Sequence, residues 1–175
     1  MFHIGRARVK ILMGDVSEQD TDAIAIAAND RLWMSGTIAN AVKQKAGEDV
    51  ETLAMKQGPV PIGSVVVTDG GGLNAKFLMH VVIMGQDIKT SYDNIKEGVI
   101  SLVRKSDELG LASVSMPALG TDVAKFPAHE AAKSIIDGII DSLLDAENIR
   151  EIRIVLRNEG IYKTFVQEFE KQFSR

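Results

Sequence analysis

The 175-residue chain contains no cysteine. Disulfides, thiolate metal sites and a cysteine nucleophile are therefore excluded, and the composition is compatible with a reducing compartment. Histidine is scarce, with three in all, and no HExxH pair occurs, so no metal or cofactor is expected. No uninterrupted apolar run approaches the roughly 18 residues that a membrane span requires. The opening MFHIGRARVKILMGD has too short an apolar stretch for a signal peptide and no cleavage-like site. The expectation is a soluble, cytoplasmic protein without a membrane partner. Excess basic charge is missing as well. The formal net charge is −4, which is mildly unfavourable to polyanions and makes RNA an unexpected partner. The first strand-to-helix turn lacks GxGxxG, and no glycine-rich loop ends in Lys-Ser or Lys-Thr, so a dinucleotide-binding Rossmann site and a P-loop are both disfavoured.

What is present is an ordinary globular composition, 45% hydrophobic and 25% charged, in a chain long enough to bury a core as one domain spanning 1–175. Short apolar runs at Val9–Met13, Ala23–Ala28, Ser64–Thr68, Phe77–Ile83, Ala112–Met116 and Ile152–Leu156 read as six strands. Runs such as VVV have no polar alternate face, which suits strands covered on both sides. Between them the period changes. Ile38, Ala39 and Val42 form one helical stripe, and Val50, Leu53 and Ala54 a second. Ile95, Val99, Leu102 and Val103 mark a helix closing near Gly110. A strongly apolar helix follows Pro127, and Ile161, Phe165, Phe169 and Phe173 line a last one. Alternating strands and helices imply an α/β fold in three layers, with ligands expected beyond the carboxyl ends of the strands.

Several residues stand at such ends. Asn29 follows the run Ala23–Ala28 and is delivered to a loop that leads through Gly36 into a helix. Asp15 follows ILMG and reads either as a cap for the next turn or as an acceptor for a ligand amino group. MPALGTDVAKFP, Met116–Pro127, is a strand–loop–helix in which Gly120 and Thr121 are expected to expose backbone N–H groups. Two such loops could grip a diphosphate, or each could be a tight turn with a helix cap. TDGGGL, Thr68–Leu73, leads into a strand rather than a helix and reads as a turn. His80, inside FLMHVV, reads as a hydrogen-bonded core histidine.

Four segments together resemble the macro domain, the ADP-ribose-binding module of the Appr-1″-p processing family. They are GDVSEQDTDAIAIAAND, SGTIANAVKQKAG, PIGSVVVTDGGGLNAKFLMHVV and LASVSMPALGTDVAKFP, in that order, within a match running from about Lys10 to Phe169. The resemblance implies an α/β/α sandwich on a six-stranded mixed sheet, with ADP-ribose across the strand ends. It implies that Asp15, with Val16 beside it, accepts from the adenine amino group and that Asn29 bonds the distal ribose. Ser35, Gly36, Thr37 and Ile38 would form one diphosphate loop. Gly120, Thr121, Asp122 and Val123, flanked by Leu119 and Ala124, would form the other. Arg157, with Asn158 alongside, would lie on the adenine. The chain departs from the family pattern in several places, Lys125 in place of a second loop glycine among them. Met34 stands in a glycine position, and Ala39 replaces the aspartate of the hydrolase branch. Asp122 replaces a loop glycine, and Ala124 replaces an aromatic. An aspartate in a diphosphate loop is repulsive unless it points outward or pairs with Lys125. Three readings follow. One is a reader of ADP-ribose, free or on an ADP-ribosylated protein. One is a hydrolase of ADP-ribose 1″-phosphate, O-acetyl-ADP-ribose or ADP-ribosyl-protein, with Asn29 as the positioning group and Asp122 as the loop carboxylate nominated as base. The third is a degenerate macro fold that binds another nucleotide, RNA or a protein partner.

Overall fold

A computed structural model describes residues 1–173. The elements run β1 (Phe2–Ile4), β2 (Ala7–Met13), β3 (Ala23–Asn29), α1 (Thr37–Ala46), α2 (Asp49–Met55), β4 (Val65–Asp69) and β5 (Phe77–Met84). They continue with α3 (Tyr92–Glu108), β6 (Ser113–Met116), α4 (Ala128–Leu143), β7 (Glu151–Leu156) and α5 (Glu159–Phe173). The strands form one sheet in the order β1-β2-β7-β6-β3-β5-β4.

Seven strands are present where six were expected, because Phe2–Ile4 adds an antiparallel edge strand beside β2. Three residues carry too little periodicity to be recognised alone. The strand is held instead by packing: the Phe2 ring lies 5.4 Å from Phe169 and 5.2 Å from Phe173. Phe165 and Phe169 are fully buried, and each contributes about 1.5–3 kcal/mol of hydrophobic stabilisation.

Five strands, β2, β7, β6, β3 and β5, are mutually parallel, so their carboxyl ends emerge along one edge. Alternation along β3 divides its side chains between two cores. Ala23 and Ala25 join the core under α3, α4 and α5, and Ile24 and Ile26 join the one under α1 and α2. Helices therefore cover both faces and the domain has three layers. In α2 the stripe is narrower than its sequence implied: Val50 and Ala54 are buried, but Leu53 is 44% exposed. α3 ends as expected, with Gly110 at φ +75° just past the last turn. TDGGGL is a turn between the antiparallel strands β4 and β5, and it docks on the end of α1 through Gly72 N–H to the Ala46 carbonyl at 3.0 Å.

Register between β2 and β7 is pinned by charge as well as by backbone. Glu151 is buried at the start of β7 and accepts from Lys10 Nζ at 3.0 Å and Arg153 Nε at 2.8 Å. Burial raises its carboxyl pKa, but those bonds and charges outweigh burial and hold it below the usual value. Among the described residues no helix is long and apolar enough to cross a membrane, and no three His, Asp or Glu side chains converge on a metal position.

Candidate ligand cleft

The parallel strands bring the exits of β2, β3, β6 and β7 to one crevice. β2 delivers Asp15. Its Oδ1 accepts from Ser17 N–H at 2.9 Å and Ser17 Oγ at 2.7 Å, capping a single turn at Val16–Glu18. Its Oδ2 has no partner among the described residues. Partial burial raises the Asp15 pKa, but the Ser17 bonds and the nearby charges of Arg157 and Lys45 outweigh it, so the carboxyl is held below its ordinary value. Asp15 and Val16 line a cleft of about 420 Å³ together with Thr37, Thr121, Arg157 and Asn158. That volume falls within the range of small-molecule sites. Ala41 and Ile161 are also in its wall. Neither was singled out from the sequence, where Ile161 reads as part of a core stripe. Arg157 is exposed at the rim, and Asn158 Oδ1 accepts from Ile161 N–H at 3.0 Å, capping α5.

A second compartment lies deeper, between the loops after β3 and β6. Ser35, Leu119, Gly120, Val123 and Ala124 line it. It holds about 20 Å³, space for roughly one water. Ile38, Pro117, Ala118 and Asp122 line both compartments, so the two share a wall.

Three expectations are corrected by the geometry. Thr121 N–H is not exposed for a ligand. It donates to the Ala118 carbonyl at 3.2 Å, and Thr121 Oγ1 donates to the same oxygen at 2.8 Å. Asp122 neither points outward nor pairs with Lys125. Its Oδ2 accepts from Ile38 N–H at 3.1 Å at the amino end of α1. Met34 does not intrude on the glycine loop. Its side chain is buried in the core under α1, and its N–H donates to Glu51 Oε2 at 2.5 Å. Glu51 is itself tied to Lys43 at 3.5 Å.

Asn29 is buried at the end of β3 and lines neither compartment. Its Nδ2 donates to the Trp33 carbonyl at 2.8 Å, and its Oδ1 accepts from Arg31 N–H, Leu32 N–H and Gln86 Nε2 at 3.0–3.2 Å. Gln86 also donates to Asp30 Oδ1 at 2.6 Å and accepts from Trp33 Nε1 at 2.9 Å. The amide thus organises its own loop and ties the exit of β3 to that of β5. Gly36 lies at φ +91° against Asp122 and Val123, and Ala39 is buried without any polar group.

The family profile named Macro domain matches residues 25–135. An uncharacterised protein of Pyrobaculum aerophilum is 34% identical over 174 residues, covering 97% of this chain and 95% of its own length. The chain belongs to the macro domain family. In three dimensions it is similar to a variant of the Oceanobacillus iheyensis macrodomain with ADPR, at TM-score 0.90 and 22% identity, over 99% of this chain and 98% of that one. It is also similar to the Trypanosoma brucei macrodomain in complex with ADP-ribose, at TM-score 0.83 and 22% identity, over 91% and 68% of the two chains.

Proposed function

We propose that this macro domain is a binding module for ADP-ribose or a close derivative, free or carried on a protein. The adenosine half enters the larger compartment and the diphosphate crosses between the two loops toward the smaller one. The observation that carries the reading is Asp15. One of its oxygens is committed twice to Ser17, the other has no partner among the described residues, and the residue lines a cleft of about 420 Å³. A pre-oriented carboxylate oxygen beside the apolar Val16 suits an adenine amino group. Arg157 at the rim presents a planar cation that can stack on the base.

Binding without hydrolysis is the reading the polar groups support. Asn29 is an amide and does not abstract protons at pH 7. Ala39 supplies no carboxylate where the hydrolase branch has one.

Calorimetric titration with ADP-ribose, with AMP and NAD as controls, tests the reading. Asp15→Ala is expected to weaken ADP-ribose about 10- to 100-fold, the loss of a hydrogen bond to a charged acceptor. Ser17→Ala removes a capping hydroxyl without touching the free oxygen and is expected to bind nearly as the wild type does. No heat at millimolar ADP-ribose from a folded sample overturns the proposal. Release of phosphate, acetate or ADP-ribose from the corresponding conjugates overturns the exclusion of hydrolysis.

A further inference from the structure

The two ligand loops are joined to each other across the cleft. Ile38 N–H donates to Asp122 Oδ2 at 3.1 Å, a contact between residues 84 apart in sequence. The bond sits at the amino end of α1, whose N-cap, Gly36, has no side chain to satisfy the helix's free amides. A carboxylate is what such an end attracts, and a phosphate oxygen has the same character, an anionic acceptor without a proton to give.

The geometry around Asp122 holds it there. Phe126 N–H donates to the Gly120 carbonyl at 2.9 Å, closing the neck of the 121–125 loop. Thr121 fastens one side of that neck to Ala118. Gly36 leaves the room that the loop tip fills: a Cβ there would lie 2.7 Å from Asp122 Oδ2 and 2.5 Å from Val123 Cγ2. With the contact made, the deeper compartment keeps only about 20 Å³ and the outer one stays open.

We propose that Asp122 is a resident competitor for the ligand's phosphate groups, its carboxylate filling the anion seat at the amino end of α1 until a diphosphate displaces it. This rests on the nucleotide reading above. It makes Asp122 a specificity-determining residue. A ligand without phosphate uses the outer compartment and ignores the contact, whereas a diphosphate must first open it. If the contact is closed 90–99% of the time, the apparent affinity for a diphosphate falls about 10- to 100-fold. Like charge in the opened state adds to that discrimination.

The test is titration of the wild type and Asp122→Asn with three probes: adenosine, ADP-ribose and inorganic pyrophosphate. Asparagine keeps an acceptor for Ile38 N–H and removes the charge, so the helix end stays capped. ADP-ribose and pyrophosphate are expected to bind the variant at least tenfold more tightly, with adenosine unchanged. Equal or weaker binding of both phosphate ligands by the variant overturns the competitor. The probes also separate the two proposals. Tightened pyrophosphate binding with neither adenosine nor ADP-ribose bound by either protein overturns the nucleotide reading and leaves the competitor standing. Adenosine and ADP-ribose binding both proteins without any tightening does the reverse.

Discussion

Thr68 Oγ1 and His80 Nε2 stand 3.0 Å apart between the antiparallel strands β4 and β5. Among the described residues His80 Nδ1 has no hydrogen-bond partner, and the ring is fully buried. Burial pushes the His80 pKa down to about 4 from an ordinary 6.5. The imidazole is thus neutral in the folded protein at pH 7, a core group rather than a ligand-binding one.

This sets a pH dependence of stability. Between about pH 6.5 and 4 the unfolded chain holds a proton at His80 that the folded chain does not, so stability rises with pH across that window. The contribution is complete above the unfolded value and is lost as pH falls toward 4, on the order of 3 kcal/mol in all. Urea denaturation at pH 7, 6, 5 and 4 is expected to show the fall, and His80→Gln to flatten it. An unchanged slope in the variant would assign the effect to other groups.

Met34 yields a prediction with two separable readouts. A side chain crowding the diphosphate loop would be expected to release affinity when trimmed, at little cost in stability. Met34 instead is 7% exposed and packs with Ile24, Ile26, Ala39 and Val42. Met34→Ala is therefore expected to cost about 2–5 kcal/mol. At roughly 2–4 °C per kcal/mol for a chain of this size, the melting temperature drops by several degrees or more. The dissociation constant for ADP-ribose is expected to stay within about twofold. Tighter binding with unchanged melting would place Met34 in the cleft.

The contrast between Met34 and His80 shows what could be read from the sequence. His80 lies in an unbroken apolar run, so its burial was evident from its neighbours. The buried strands, the helices and the glycine turn before β5 were legible for the same reason, since each is a local pattern. Phe2–Ile4 was not, because its pairing depends on Phe2 meeting Phe169 and Phe173 at the far end of the chain. In the cleft, Asp15 and the two loops each directly follow a strand-like run, a local feature of the sequence. The partners of Asn29 and Asp122 are not local, because Gln86 and Ile38 lie 57 and 84 residues away. The direction of Met34 is set by where α1 settles on the sheet, which no window around the residue contains.

Gly36 gives the most exacting test of the cleft's geometry. Its φ of +91° is rarely adopted by L side chains, and an added Cβ would meet both Val123 and Asp122 inside van der Waals distance. Gly36→Ala is expected to cost about 1–3 kcal/mol in backbone strain. Moving Asp122 off Ile38 N–H forfeits the remote cap of α1, worth about 0.5–2 kcal/mol more. Because the second loss passes through Asp122, the two sites are coupled. In an Asp122→Ala background the same glycine substitution is expected to cost less by about 0.5–1 kcal/mol. Amide exchange supplies the residue-level readout: Ile38 N–H is protected in the wild type and loses protection in both single variants, while Asn40 N–H, bonded to the Gly36 carbonyl within the helix, keeps it. Strict additivity of the two substitutions, with Ile38 equally protected in all three proteins, would mean that the carboxylate does not rest on the helix end in solution.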